Sequence, residues 1–178
     1  VLIAAKHQSF FDAILIVSAV PKPKFIMKNS LKYAPVLGWF GLRIGCICVE
    51  RGKRTQAIKS MVAAVNSGNS PAGQLIIYPQ GTRIAPGASA PYKIGTAVLY
   101  QETGQTCIPA ATNVGVFWPK YGILRQPGLA VIEFLPAIQP GLSNELFMHR
   151  LEEVIEQSSN ALLEEAATDG FYPVGQDT

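Results

Sequence analysis

The sequence predicts an α/β fold with a mixed, largely parallel central sheet flanked by helices. Three observations carry this expectation: short apolar runs bounded by Gly and Pro, helix-period segments between them, and regular alternation of the two along the chain. At 178 residues the chain suits one domain, 1–178, with a core of ordinary size.

Residues 1–5 form an apolar run that reads as a strand, and 9–20 reads as a helix opened by small polar residues. After the breaker-rich Pro21-Lys22-Pro23, a second strand is expected at 25–28; 31–43, interrupted by Pro35 and Gly38, reads as short helices. A third strand is expected at 46–49. The clearest amphipathic helix is 55–66, where Ile58, Met61, Val62 and Val65 share one face. A polar loop, 68–73, leads into a buried strand at 74–78, which runs into Pro79-Gln80-Gly81-Thr82-Arg83 and a second polar loop, 85–91. Beyond it, 94–102 has a helical pattern, 107–114 and 129–135 read as strands, and 143–167 is a long helix with Leu151, Val154 and Ile155 facing inward. The last residues, 170–178, read as a loose tail.

Hydrophobic residues make up 48% of the chain and charged residues 15%, with a mean hydropathy of +0.22. That tilt favours contact with lipid. The longest apolar stretch, 13–20, is well short of the ~20 residues a membrane-crossing helix requires. The chain starts at Val1 and its chemistry begins at position 7, so a separate upstream anchoring segment is expected. A net charge of +3 gives no ground for a nucleic-acid partner, whereas a mildly basic surface suits anionic lipid headgroups. The three cysteines, Cys46, Cys48 and Cys107, have neither the number for a disulfide framework nor the spacing of a zinc site, and a reducing cytoplasm is the simplest compartment.

The segment richest in chemistry is Lys6-His7-Gln8-Ser9-Phe10-Phe11-Asp12. A His at a strand end is followed five residues later by an Asp in a nascent helix. The first helical turn can fold the carboxylate back onto the imidazole, fixing its tautomer and raising its basicity, while the other ring nitrogen faces a substrate hydroxyl. The substrate alcohol would then be the nucleophile; Ser9 lacks the Gly-x-Ser-x-Gly setting of a serine hydrolase. His149, between charged neighbours on the last helix, reads as solvated. In Tyr78-Pro79-Gln80-Gly81-Thr82-Arg83 a strand ends in a turn whose Gly admits close backbone approach and whose Arg can grip a phosphate. Gly45-Cys46-Ile47-Cys48-Val49-Glu50-Arg51 delivers Arg51 to a strand's carboxyl end, where ligands gather in open α/β sheets. In Ile108-Pro109-Ala110 the proline is expected at a strand start or sheet edge.

Taken in this order, the four segments resemble the conserved blocks of the 1-acyl-glycerol-3-phosphate acyltransferase family over about residues 3–136, and the resemblance implies a glycerol-3-phosphate acyltransferase-like fold. It implies His7 as general base, Asp12 as its orienting partner, and Arg51 and Arg83 on the acceptor phosphate. Gly81 and Thr82 would complete the phosphate loop, Pro109 would shape the acyl region, and Lys28 and Lys93 match basic positions of the family. The implied reaction moves an acyl chain from acyl-CoA or acyl-carrier protein, acting as co-substrate, to the sn-2 hydroxyl of a lysophospholipid, with no cofactor or metal. The implied location is the cytoplasmic face of the cell membrane. One position departs from the family: Gln80 stands where Glu is usual, placing a neutral amide beside the phosphate-binding Arg. The departure leaves open another acceptor, such as a lyso-ornithine lipid, and a non-catalytic lipid-binding relative would be a third reading. Phe10, Phe11, Trp39, Phe40, Phe117 and Trp118 are candidates for an acyl groove or membrane contact.

Overall fold

A computed structural model describes residues 1–49, 59, 62–63, 73–121 and 123–173. Its elements follow the predicted alternation. β1 (Leu2–Ala5) leads to α1 (Phe11–Ala19) and β2 (Pro23–Lys28); a 3-10 turn (Asn29–Tyr33) and α2 (Leu37–Arg43) then precede β3 (Ile47–Val49). Residues 59, 62 and 63 are helical, and the rest of the helix expected at 55–66 lies outside the described residues. The chain continues with β4 (Gln74–Ile77), α3 (Gly95–Thr103), β5 (Cys107–Thr112), α4 (Val114–Phe117), β6 (Ile132–Phe134) and α5 (Asn144–Thr168).

The strands form one sheet in the order β3-β2-β4-β1-β5-β6. The first five run parallel and β6 runs antiparallel to β5. β1 lies inside the sheet, with Leu2 opposite Leu75 on one side and Cys107 on the other. Its four residues are all buried, which is why it reads as a continuous apolar run rather than an alternating one. Leu2 and Ala4 join Leu75 and Ile77 against Leu99 and Tyr100 of α3 and Phe147, Leu151 and Ile155 of α5. Ile3 and Ala5 face the other way, with Ile76 and Ala110, against Ile16 of α1. The period-two geometry of a strand therefore serves two cores with one short segment. On α5 the buried residues Phe147, Leu151, Ile155, Ser159, Leu162 and Ala166 recur at helical spacing, and Ser143 caps the helix by accepting from the Leu146 N–H at 3.3 Å. Val154 is only partly buried against the same core.

Several expectations need correction. α1 starts at Phe11 rather than residue 9, and its cap position, Phe10, makes no side-chain cap hydrogen bond. The strand expected at 129–135 is confined to Ile132–Phe134, and that at 107–114 stops at Thr112, where the chain turns into α4. The start of the supposed loose tail is tied down. The Phe171 N–H donates to Ala166 O at 2.8 Å, its ring meets Phe117 edge-on, and Gln126 Nε2 donates to Tyr172 O; residues 174–178 lie outside the described residues.

Pro109 is neither at a strand start nor on the sheet edge, because β5 is flanked by β1 and β6. Pro109 O accepts from Leu135 N at 2.9 Å, so the side of the residue that lacks a donor faces β6. There the register slips: Ala110 pairs with Phe134 and Cys107 bridges to Ile138, so three steps along β5 match four on the partner. The missing N–H falls at this bulge, where ladder pairing is already interrupted.

Candidate active site at the carboxyl edge of the sheet

Because β1, β2, β4 and β5 run parallel, their carboxyl ends open on one edge, the usual place for a site in such a sheet. His7 lies just past the end of β1. The Asp12 carboxylate, fully buried, folds back from the first turn of α1. It accepts from Gln8 N at 2.6 Å and from Ser9 N at 2.8 and 3.0 Å, and it lies 3.2 Å from His7 Nδ1. Two backbone donors thus hold the carboxylate before it meets the imidazole. The sequence motif needs its five-residue spacing because the intervening chain supplies those donors. Ser9 Oγ accepts from the Phe11 N–H at 3.1 Å.

The imidazole stacks on Tyr78, with ring centroids 3.9 Å apart and planes 15° from parallel. With Nδ1 directed at Asp12, Nε2 has no partner among the described residues, and the His7 side chain is 19% exposed. The Tyr78 hydroxyl is buried and makes no hydrogen bond among the described residues. Burial first, and then the charge of Asp12, push its pKa well above the ordinary tyrosine value.

Beyond β4 the chain closes a turn in which Gly81 N donates to Tyr78 O at 2.8 Å. Gly81 has φ 68°, and a Cβ there would stand 2.5 Å from Lys93 Nζ. Glycine suits the left-handed backbone here, and a side chain in its place would push the end of Lys93 aside. Lys93 is also held through its N–H to Pro79 O at 2.9 Å, and the Ile84 N–H donates to His7 O at 2.8 Å. The last bond ties the glycine turn to the histidine itself. Thr82 is exposed and Arg83 half-buried, with Arg83 Nη1 donating to Lys120 O at a long 3.4 Å. The structure thus gathers His7, Asp12, Gly81 and Lys93, with Thr82 and Arg83 following in the same turn. Lys28 ends β2, and Arg51 lies outside the described residues.

The buried amide of Gln80 donates from Nε2 to Ala90 O at 3.3 Å, fastening the loop at 85–91. The aromatic candidates also divide. Phe10, Trp39 and Phe40 are exposed, and Phe11 stacks on Trp118 at 4.9 Å. Phe117 belongs to the core with Val116 and Ala166, so it lines no open groove.

Two supports escaped the sequence reading. Gln8 Oε1 accepts from the Gly115 N–H at 2.9 Å, and a Cβ on Gly115 would meet Gln8 Cβ and Pro86 Cγ at 2.8 Å. The histidine segment, the loop at 85–91 and the start of α4 therefore meet at a residue that must be glycine. Behind the site, the buried Lys6 ammonium contacts both oxygens of Glu156 on α5 at 2.7 Å, and the Tyr92 hydroxyl donates to Oε1 of the same carboxylate at 2.8 Å. No local pattern could reveal a pair 150 positions apart. Among the described residues no group of three or more His, Cys, Asp or Glu side chains is placed to hold a metal ion.

The mostly parallel sheet, the carboxylate-held histidine at its edge and the adjoining glycine turn define an α/β domain with a candidate site at the carboxyl edge of its sheet. The family model described as Acyltransferase matches residues 1–113, and the chain belongs to that family. It is 27% identical over 137 residues to the 1-acyl-sn-glycerol-3-phosphate acyltransferase of Pseudomonas aeruginosa, covering 77% of this chain and 53% of that protein. The protein of the same name from Saccharomyces cerevisiae is 26% identical over 182 residues, covering 99% and 59%. Among solved structures, the LPA acyltransferase PlsC from Thermotoga maritima shares the fold, with a TM-score of 0.76 at 22% identity over 90% of this chain and 65% of that one. The chain thus spans only 53% and 59% of the length of those two curated relatives.

Proposed function

We propose that this chain is the catalytic domain of an O-acyltransferase that moves a fatty acyl group from acyl-CoA or acyl-carrier protein to the sn-2 hydroxyl of 1-acyl-sn-glycerol-3-phosphate, giving phosphatidic acid. The observation that carries the reading is the His7–Asp12 contact of 3.2 Å, which leaves Nε2 without a partner among the described residues at the edge of the sheet. Nε2 takes the acceptor's hydroxyl proton as its oxygen attacks the thioester carbonyl; the tetrahedral intermediate then collapses, the carbon–sulfur bond breaks, and the proton passes to the departing thiolate. Asp12 fixes the tautomer and stabilises the imidazolium.

In this reading Arg83, Lys93 and the backbone at Gly81 and Thr82 receive the acceptor phosphate, joined by Arg51 and Lys28, while Pro109 helps shape the acyl region. No bound cofactor or metal enters it, and the acyl donor is a co-substrate. The enzyme works at the cytoplasmic face of the cell membrane, where its lipid acceptor resides. A second reading keeps the chemistry and changes the acceptor to a lysolipid without the phosphate, such as lyso-ornithine lipid. Gln80 favours it, since its amide is committed to Ala90 O and adds no charge beside Arg83.

The test is transfer from labelled long-chain acyl-CoA or acyl-carrier protein to lysophosphatidate in mixed micelles, wild type against His7→Ala. Phosphatidate formed only by the wild type supports the reading; turnover unaffected by His7→Ala overturns the assigned base, and turnover of lyso-ornithine lipid alone selects the second acceptor.

A further inference from the structure

Most surface helices bury their large apolar side chains, whereas α2 buries its glycines. Among its described side chains Gly38 and Gly41, three residues apart, are buried, and Trp39, Phe40 and Leu42 between and beside them are exposed. A Cβ at Gly38 would collide with the carbonyl of Lys32, and one at Gly41 would stand 3.2 Å from Sδ of Met27. The Gly38 N–H also donates to Ala34 O at 2.9 Å. The two glycines seat the helix closely on the 3-10 turn and on β2, and the large side chains are left to face outward. Tyr33 (77% exposed) and Val36 (80%) extend the same surface, with Trp39 at 62%. Soluble monomers seldom leave so continuous an apolar face uncovered.

The stretch of sequence that holds this face is one-sided in charge. Between Asp12 and Glu50 there is no acidic residue, while Lys22, Lys24, Lys28, Lys32 and Arg43 all fall there. The chain carries a net charge of +3 overall, so everything outside that stretch nets two negative charges. Lys32 Nζ sits 4.8 Å from the Tyr33 ring centroid, and the Arg43 guanidinium 5.1 Å from that of Trp39. Aromatic rings with cations at their margins match the boundary between acyl chains and headgroups, where amphipathic side chains place apolar stems in lipid and charge in water.

We infer that the turn Asn29–Tyr33 and α2 form a docking platform for an anionic bilayer surface. The charge singles out this occupant: Lys32 and Arg43, set at the margins of the exposed rings, complement anionic headgroups, whereas a two-fold dimer through the same face would set those cations against their own copies. Position supports it as well. The turn leaves β2 at its carboxyl end, and β2 runs parallel to β4 as β4 does to β1, so the platform starts on the edge where His7 lies. Docking there would present the site to the membrane surface rather than to bulk water. The inference gives the proposed lipid chemistry its place of action and rests on that reading for its purpose, but not for its test.

The test is co-sedimentation of the purified protein with large vesicles of phosphatidylcholine, with and without about one-third phosphatidylglycerol, at low and high salt. Wild type and His7→Ala are expected to bind the anionic vesicles equally. Lys32→Gln/Arg43→Gln is expected to weaken partitioning about 25-fold, given about fivefold per cation near an anionic surface, and Trp39→Ser/Phe40→Ser on the order of tenfold through lost apolar burial, each with unchanged circular dichroism and Tm. Equal binding by wild type and both folded double variants would overturn the platform. So would a dimer, seen by light scattering, that Trp39→Ser/Phe40→Ser dissolves. Binding that depends on the platform without any acyl transfer would count against the catalytic reading alone; transfer by a wild type that ignores vesicles would count against the platform alone.

Discussion

Tyr78 lies flat against His7, ring centroids 3.9 Å apart and planes 15° from parallel, so the residue that opens the glycine turn also sets the plane of the imidazole. The contact uses the ring and not the hydroxyl, which is buried without a partner among the described residues. Tyr78→Phe should keep the stack and relieve an unsatisfied group, leaving Tm unchanged or raised and transfer within about threefold of wild type. Tyr78→Ala removes the surface under His7 and should cost about 3 kcal/mol by chemical denaturation, with a larger fall in kcat than in KM. Equal behaviour of the two variants would show that the stack does not position the base.

Asp12 and His7 should separate stability from activity. Asp12 accepts from two backbone N–H groups as well as facing His7, so Asp12→Ala strands buried donors at about 1–3 kcal/mol each. Urea denaturation should show a stability loss of that order alongside lost transfer. His7→Ala leaves those donors satisfied and should lower transfer by about 10²–10⁴-fold while shifting stability by less than about 1 kcal/mol.

The Lys6–Glu156 pair tests how α5 holds the site. Lys6 is 2% exposed and the Glu156 side chain 26%. Removing the carboxylate leaves a buried ammonium, which costs about 3–5 kcal/mol in a fully desolvated pair; the partial exposure of Glu156 places Glu156→Ala near the lower end. Lys6→Met/Glu156→Leu should recover most of the loss in Tm, since no uncompensated charge remains.

Gly81→Ala meets two obstacles, φ 68° and the Lys93 amine at 2.5 Å. The backbone strain is about 1 kcal/mol, and the amine must move. Acceptor KM should therefore rise several-fold with little change in Tm, while Gly104→Ala, which shares the left-handed φ but meets nothing within 4 Å, should leave KM alone.

Stability should decline on the alkaline side. Burial pushes the Cys107 thiol from 9.0 up to about 12, and burial likewise raises Tyr78 and Tyr92. In each case the unfolded chain ionises at lower pH than the folded one. The stabilisation is therefore complete below pH 9 and is lost progressively as pH rises from about 9 toward 12. Tm should hold from pH 8 to about 9 and fall steadily from there to 10.5, and Cys107→Ala should flatten part of the slope.

The sequence by itself determined the alternation of strands and helices, the parallel character of the sheet and the two motifs that face each other, because each rests on local information: periodicity, breakers, and a His and an Asp joined by four residues. Pro109 showed the limit of a local rule. Its tolerance inside β5 depends on a register slip against Leu135–Ile138, which only pairing with a distant strand creates. Gln80 showed another, since the partner of its amide, Ala90 O, lies in a loop that no spacing points to. The third dimension alone decided that Tyr78 underlies His7, that Gln8 reaches Gly115 and that Lys6 finds Glu156, because contacts between residues far apart in the chain leave no spacing to read. It also decided that α2 faces outward: the sequence offers Trp39 and Phe40 to either core or surface, and the close seating of Gly38 and Gly41 on the neighbouring backbone and Met27 turns them to the surface.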